Sequence, residues 1–157
     1  MNETQGARNY SLLHSAVASS DYGLASILLD LGANPSPRSS NAATPLHIAS
    51  RTSQGFLAKN LIQHGAEINA TDNNGRTPLH WAVEKGDTSM AKLLIKHGCN
   101  VNPLDRKHRT PLAIALAHGQ GEIEELLAQN GASSSSSIER SWSQLTKSNE
   151  QTSPRIR

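Results

Sequence analysis

One spacing constrains this chain more than any other. Ser11, Thr44, Thr77 and Thr110 stand 33 residues apart, and so do Gly32, Gly65, Gly98 and Gly131. Other columns run in step with them: Leu13, Leu46, Leu79 and Leu112; Ala16, Ala49, Ala82 and Ala115; Leu24, Leu57, Met90 and Ile123; Leu28, Leu61, Leu94 and Leu127. Six columns in register over four units, without a gap, make the chain a tandem repeat. A string such as TPLHWA, residues 77–82, would pass for a catalytic motif if it stood alone. It has a close copy in TPLHIA at 44–49 and looser ones in SLLHSA at 11–16 and TPLAIA at 110–115.

Each unit reads as helix, turn, helix, loop. Thr44, Thr77 and Thr110 are N-cap residues whose side-chain oxygen meets an orphan N–H. Pro45, Pro78 and Pro111 follow at the first helical position, where no hydrogen bond is lost. The Leu and Ala columns lie three residues apart and share a face of the first helix. Gly86 and Gly119 break that helix, and Ser20 and Ser53 stand at the same place as weaker stops. The second helix carries apolar residues at i and i+4 and ends on the periodic glycines. Both helices fall short of the ~12–15 residues that an isolated helix needs in water. The units must therefore stack, and four exceed the rough minimum of three.

Composition agrees with thin helical layers. Aromatic residues make up 3% of the chain and apolar residues 36%, so the core must be aliphatic. Charged residues are 18%, which suits one soluble domain in 157 residues. The single cysteine, Cys99, excludes a disulfide framework within the chain. The first residues, MNETQGARNYS, lack the apolar stretch of a secretory signal. No apolar run nears the roughly 20 residues that span a bilayer. These features predict a cytoplasmic or nuclear protein with no membrane association.

Residues 1–132 hold 11 Lys/Arg and 11 Asp/Glu, and the last 25 residues hold 4 and 2, which accounts for the net charge of +2. A neutral body argues against general nucleic-acid binding, which depends on neutralising phosphates.

The period, the TPLH strings and the glycine endings resemble the ankyrin-repeat family. The resemblance covers about residues 5–132 and is strongest in DNNGRTPLHWAVEKGDTSMAKLLIKHGCNVN, residues 72–102. It implies an all-α solenoid of helix-turn-helix units joined by short β-hairpin loops, whose hairpin tips and first helices line a concave face. The expected organisation is a repeat domain over 1–132, with units at about 8–38, 39–71, 72–104 and 105–132, and a Ser-rich disordered tail over 133–157.

Departures from the pattern carry their own expectations. The hairpin NPSPRSSNAA has Pro35 and Pro37 and lacks the turn glycine, so it should be irregular. Asn74-Gly75 is a strong turn signal. His108 occupies the glycine column of the last hairpin, and histidine tolerates a left-handed backbone better than most residues. Glu124 replaces the alanines Ala25, Ala58 and Ala91, which suits a C-terminal capping repeat, and Ser11-Leu12 in place of Thr-Pro suits an N-terminal one.

His14, His47 and His80 recur with the period. Stacked repeats are spaced by roughly 10 Å, about a helix diameter, too far apart for rings to converge on one zinc ion. A structural hydrogen bond back to the cap or to a neighbouring loop is the expected role. His64 and His97 precede the helix-ending glycines and suit a helix C-terminus. Cys99 fills an alanine column and reads as a small buried hydrophobe. Trp81, in a column with Ser15, Ile48 and Ile114, reads first as packing between repeats and second as an aromatic anchor for a ligand. Glu122, Glu124 and Glu125 read as a solvated acidic face. No catalytic pair or phosphate loop stands out from the repeat, so no enzyme, cofactor or metal is expected.

The resemblance places the variable binding positions just before the Thr and seven to eight residues after it. Carried onto this chain, they are Arg8, Tyr10 and Ser19; Arg38, Asn41, Arg51 and Thr52; Asn73, Asn74, Arg76, Glu84 and Lys85; and Arg106, Lys107, Arg109 and His118. This set is mostly basic. It predicts a positively charged face for an acidic peptide or acidic protein surface, with Tyr10 and Trp81 as aromatic anchors. In the tail, Ile138, Trp142 and Leu145 have helical spacing, and Arg140 and Ser153-Pro154 resemble common phosphorylation contexts. The functional expectation is a monomeric, non-enzymatic adaptor, scaffold or inhibitor that binds another protein. The alternative is a targeting subunit of a ubiquitin ligase or other effector complex.

Overall fold

The computed structural model of the chain describes residues 10–133. Within them lie eight helices in four pairs: α1 (Leu12–Ala18) with α2 (Tyr22–Asp30), α3 (Pro45–Arg51) with α4 (Gly55–Gln63), α5 (Pro78–Lys85) with α6 (Thr88–Lys96), and α7 (Pro111–His118) with α8 (Gly121–Gln129). Arg8 and the tail residues Ile138, Arg140, Trp142, Leu145 and Ser153 lie outside the described residues.

The local signals place the helices. Ser11, Thr44, Thr77 and Thr110 have extended backbones and sit at the N-caps, and Pro45, Pro78 and Pro111 open their helices. Gly86 and Gly119 end α5 and α7 in the left-handed conformation, at φ 75° and 63°. Ser20 and Ser53 adopt the same conformation at φ 59° without glycine's freedom, so the weaker stops still stop the chain. The periodic glycines close the second helices in a Schellman arrangement. In α2, for example, Gly32 N–H donates to Leu29 O and Ala33 N–H to Leu28 O.

The helices form two layers. Odd-numbered helices pack on one another in chain order, even-numbered helices do the same, and each pair packs internally. Neighbouring odd helices approach each other over more of their residues than neighbouring even ones do. Alanine makes that approach possible: Ala16, Ala49, Ala82 and Ala115 are at most 1% exposed. The core between the layers is aliphatic, with Leu46, Leu61, Leu79, Leu94, Ile114, Ile123 and Leu127 almost wholly buried. Ala25, Ala58 and Ala91 are fully buried, whereas Glu124 in the same column is half-buried, with no described helix packed beyond α8.

The loops before α3, α5 and α7 are tight turns with no strand ladder. The turn before α3 is regular, contrary to the expectation from Pro35 and Pro37. Ser39 N–H donates to Ala43 O and Ala42 N–H to Ser39 O, matching Asp72 with Arg76 and Gly75, and Asp105 with Arg109 and His108. The prolines precede the turn and remove none of its donors, and Ala42 takes the left-handed position at φ 58°, as His108 does at 56°. No helix among the described residues is long and apolar enough to cross a membrane.

Two stability predictions follow from this packing. Leu94→Ala, at a site with no exposure, should lower the unfolding free energy in urea by ~2–5 kcal/mol. Ser53→Gly should raise it by about 0.5–1 kcal/mol, because relief of the left-handed strain exceeds the entropy that glycine adds to the unfolded chain.

Candidate functional site

The periodic histidines are the joints of the stack. The backbone N–H groups of Ser11, Thr44 and Thr77 donate to Nδ1 of His14, His47 and His80, each at 3.1 Å. A backbone N–H can only donate, so Nδ1 is bare and the proton sits on Nε2. Nε2 then donates forward to the carbonyls of Ala43 (2.9 Å), Arg76 (2.9 Å) and Arg109 (3.1 Å), each just before the next repeat's threonine. Both nitrogens of each ring are occupied and all three rings are fully buried. Burial lowers their pKa values below the ordinary 6.5, for His47 to about 4, so the rings are neutral at neutral pH. Ala113 holds this column in the last unit.

The turns are held by a second column that escaped the sequence reading. Asp72 and Asp105 are buried, at 6% and 4% exposure. One carboxylate oxygen of Asp72 accepts the N–H groups of Asn74 and Arg76, at 2.8 and 2.9 Å; the other accepts Nε of Arg76 and the indole N–H of Trp81, at 3.2 and 3.0 Å. Asp105 repeats the pattern with the N–H groups of Lys107 and Arg109 and the Arg109 guanidinium. Burial opposes charge on Asp105, but these hydrogen bonds outweigh it and hold its pKa below the ordinary value. The signal was present in the period: Ser39, Asp72 and Asp105 are 33 residues apart.

This architecture absorbs several residues expected to be free. Arg38 donates to Thr71 O and to Glu67, tying adjacent loops. Arg76 is shared between Asp72 and Glu84, the latter at 2.8 Å. Arg109 is paired with Asp105. Trp81 is only 7% exposed, edge-on to His47, with the guanidinium carbons of Arg51 and Arg76 each 5.3 Å from its ring centroid. Tyr10 is half-buried and stacks on His14. Asn73 and Asn74 join the tips into a chain: Asn73 N–H donates to Asn41 O, and Arg106 N–H donates to Asn74 O. Arg51, Lys85, Arg106 and Lys107 are exposed and have no carboxylate partner among the described residues. His118 is exposed in the last turn of α7.

Two clefts flank the third turn. One, of about 280 Å³, is lined by Arg51, Arg76, Trp81, Glu84 and Lys85. The other, of about 340 Å³, is lined by Asn74, Arg76, Glu84, Asp105, Arg106, Lys107 and Arg109. The face therefore brings the third- and fourth-unit candidates together, while Tyr10, Arg38 and His118 lie apart from both clefts.

Elsewhere, Cys99 is buried and burial raises its thiol pKa to about 11, which leaves it protonated and unreactive at neutral pH. His64 bonds the Asn60 carbonyl in the last turn of α4 and reaches Asp30 on α2.

A family model described as "Ankyrin repeats (3 copies)" matches residues 1–72 and 46–137. No curated protein matches the chain.

The buried rings fix a pH response. The folded-state pKa values are lowered, so stability is complete above 6.5 and falls as the pH drops toward about 4, where His47 itself protonates. In that window the unfolded chain binds protons that the folded chain refuses. Each ring steepens the fall by up to about 1.4 kcal/mol per pH unit. Chemical denaturation between pH 7.5 and 5.5 should show this slope, and His47→Gln should flatten it by about one proton. An unchanged slope in the variant would assign the response to other groups.

Proposed function

Because the chain belongs to the ankyrin-repeat family, whose members are generally protein–protein interaction modules and typically not enzymes, we propose that it acts as a non-enzymatic adaptor, scaffold or inhibitor. It binds another protein on the inner face formed by its turns and odd-numbered helices. The protein works as a monomer in the cytoplasm or nucleus, and its partner presents an acidic surface or peptide.

The observation that carries this reading is the division of labour among the polar side chains. His14, His47, His80, Asp72 and Asp105 are buried and committed to holding the turns. Arg51, Lys85, Arg106 and Lys107 are exposed beside them on a rigid frame, with no carboxylate partner among the described residues. Charges held in place without internal neutralisation steer and select an oppositely charged partner. Arg38, Arg76 and Arg109 contribute less to this charge than the other basic residues, because they already have carboxylates.

The test leaves Arg109 intact, because a carboxylate there would stand against Asp105 and disrupt the turn. Arg106→Glu with Lys107→Glu should keep the melting temperature within a few degrees, since surface changes of this kind shift stability by only about 0.5 kcal/mol. The double variant should lose the proteins that the wild type captures from cell extract at low salt, and the same proteins should elute as salt rises. Capture indifferent to both the substitutions and the salt would refute an acidic partner on this face.

A further inference from the structure

The cleft between the second and third units holds more positive charge than it neutralises. Arg51, Arg76 and Lys85 line it together with one carboxylate, Glu84. Its remaining wall is the Trp81 indole, whose N–H is fixed to Asp72. At about 280 Å³ it falls just below the ~300–1,000 Å³ of small-molecule pockets and has room for an inserted side chain.

The two carboxylates that share Arg76 are not equivalent. The Asp72 side chain is 2% exposed and its oxygens are taken by two backbone N–H groups, the indole and the guanidinium. The Glu84 side chain is 34% exposed, and among the described residues it accepts one hydrogen bond, at 2.8 Å from Arg76. Asp72 is thus a fixed counter-ion and Glu84 a replaceable one. The Arg76–Glu84 pair is partly open to water, and solvent-accessible ion pairs contribute little to stability.

We infer that this cleft receives a glutamate or aspartate side chain from an acidic segment of the partner, and that Glu84 occupies the carboxylate position in the free protein. The incoming carboxylate takes the Arg76 donor from Glu84 and gains Arg51 and Lys85 of the same cleft lining, with the indole as a backing wall. Glu84 then acts as an internal competitor that sets the affinity. This inference rests on the proposed protein-binding role and names the chemistry recognised at one place on that face.

The full-length chain with Trp142→Phe leaves Trp81 as the only indole, because the sequence contains two tryptophans. Trp81 fluorescence is titrated at low ionic strength with a hexaglutamate peptide and with hexaglutamine. Hexaglutamate should give a saturable change and hexaglutamine none. Arg51→Gln and Lys85→Gln should each weaken binding by roughly fivefold, and Glu84→Gln should tighten it by roughly the same factor. A purely structural Glu84 would give equal or weaker binding in that variant, which overturns the inference, as does the absence of saturable binding. Tighter binding of a phosphoserine peptide of equal net charge would overturn the assignment to a carboxylate. If Arg51→Gln leaves protein capture intact while Arg106→Glu with Lys107→Glu abolishes it, the cleft assignment fails and the interaction role stands.

Discussion

The structure depends on one hydrogen-bonding group used three times, a buried neutral imidazole that takes an N–H from its own cap and gives its proton to the next unit. Helices of seven to nine residues are too short to persist alone. The imidazole joins the start of a first helix to the turn that leads into the following one, so helix and turn are fixed together. The same bond sets where the exposed tips stand, because the carbonyls that accept it belong to Ala43, Arg76 and Arg109 at the ends of the turns. Arg76, one of the proposed recognition residues, thus accepts the joint's hydrogen bond on its own carbonyl.

The Asp72 turn combines that architecture with electrostatics. A buried carboxylate is costly unless its oxygens are satisfied. Here backbone N–H groups and a guanidinium satisfy them, and in the third unit the indole of Trp81 joins in. In the fourth unit Ile114 stands in the tryptophan column, and Arg109 instead gives the carboxylate two donors. Arg76 is also shared with Glu84, whereas the equivalent position in the fourth unit is Ala117 and Arg109 keeps Asp105 alone as its carboxylate.

The fold was legible in the sequence because its determinants are periodic. Thr77, Pro78, Leu79 and Ala82 each have counterparts at a fixed offset, and an offset that recurs is evidence of geometry. The turn before α3 was misread, because two prolines suggested lost donors while the donors that matter belong to Ser39 and Ala42. The candidate site was less legible. A count of arginines cannot say which of them face carboxylates, and the pairing partners Asp72 and Asp105 lie four residues away on the other arm of each turn. Trp81 was ambiguous for a similar reason: its column permits Ser, Ile or Trp, and only the surrounding groups determine that the ring is covered.

The forward reach of each imidazole has a consequence for how such a chain can change length. The imidazole bonds between units all cross the same interval: His14 with Ala43, His47 with Arg76 and His80 with Arg109 each span 29 residues. A whole unit added or removed in the middle would recreate those junctions unchanged, whereas one residue gained or lost between a histidine and its acceptor would shift the turn whose backbone carbonyl the ring must meet. The number of units is free to drift, and their phase is not.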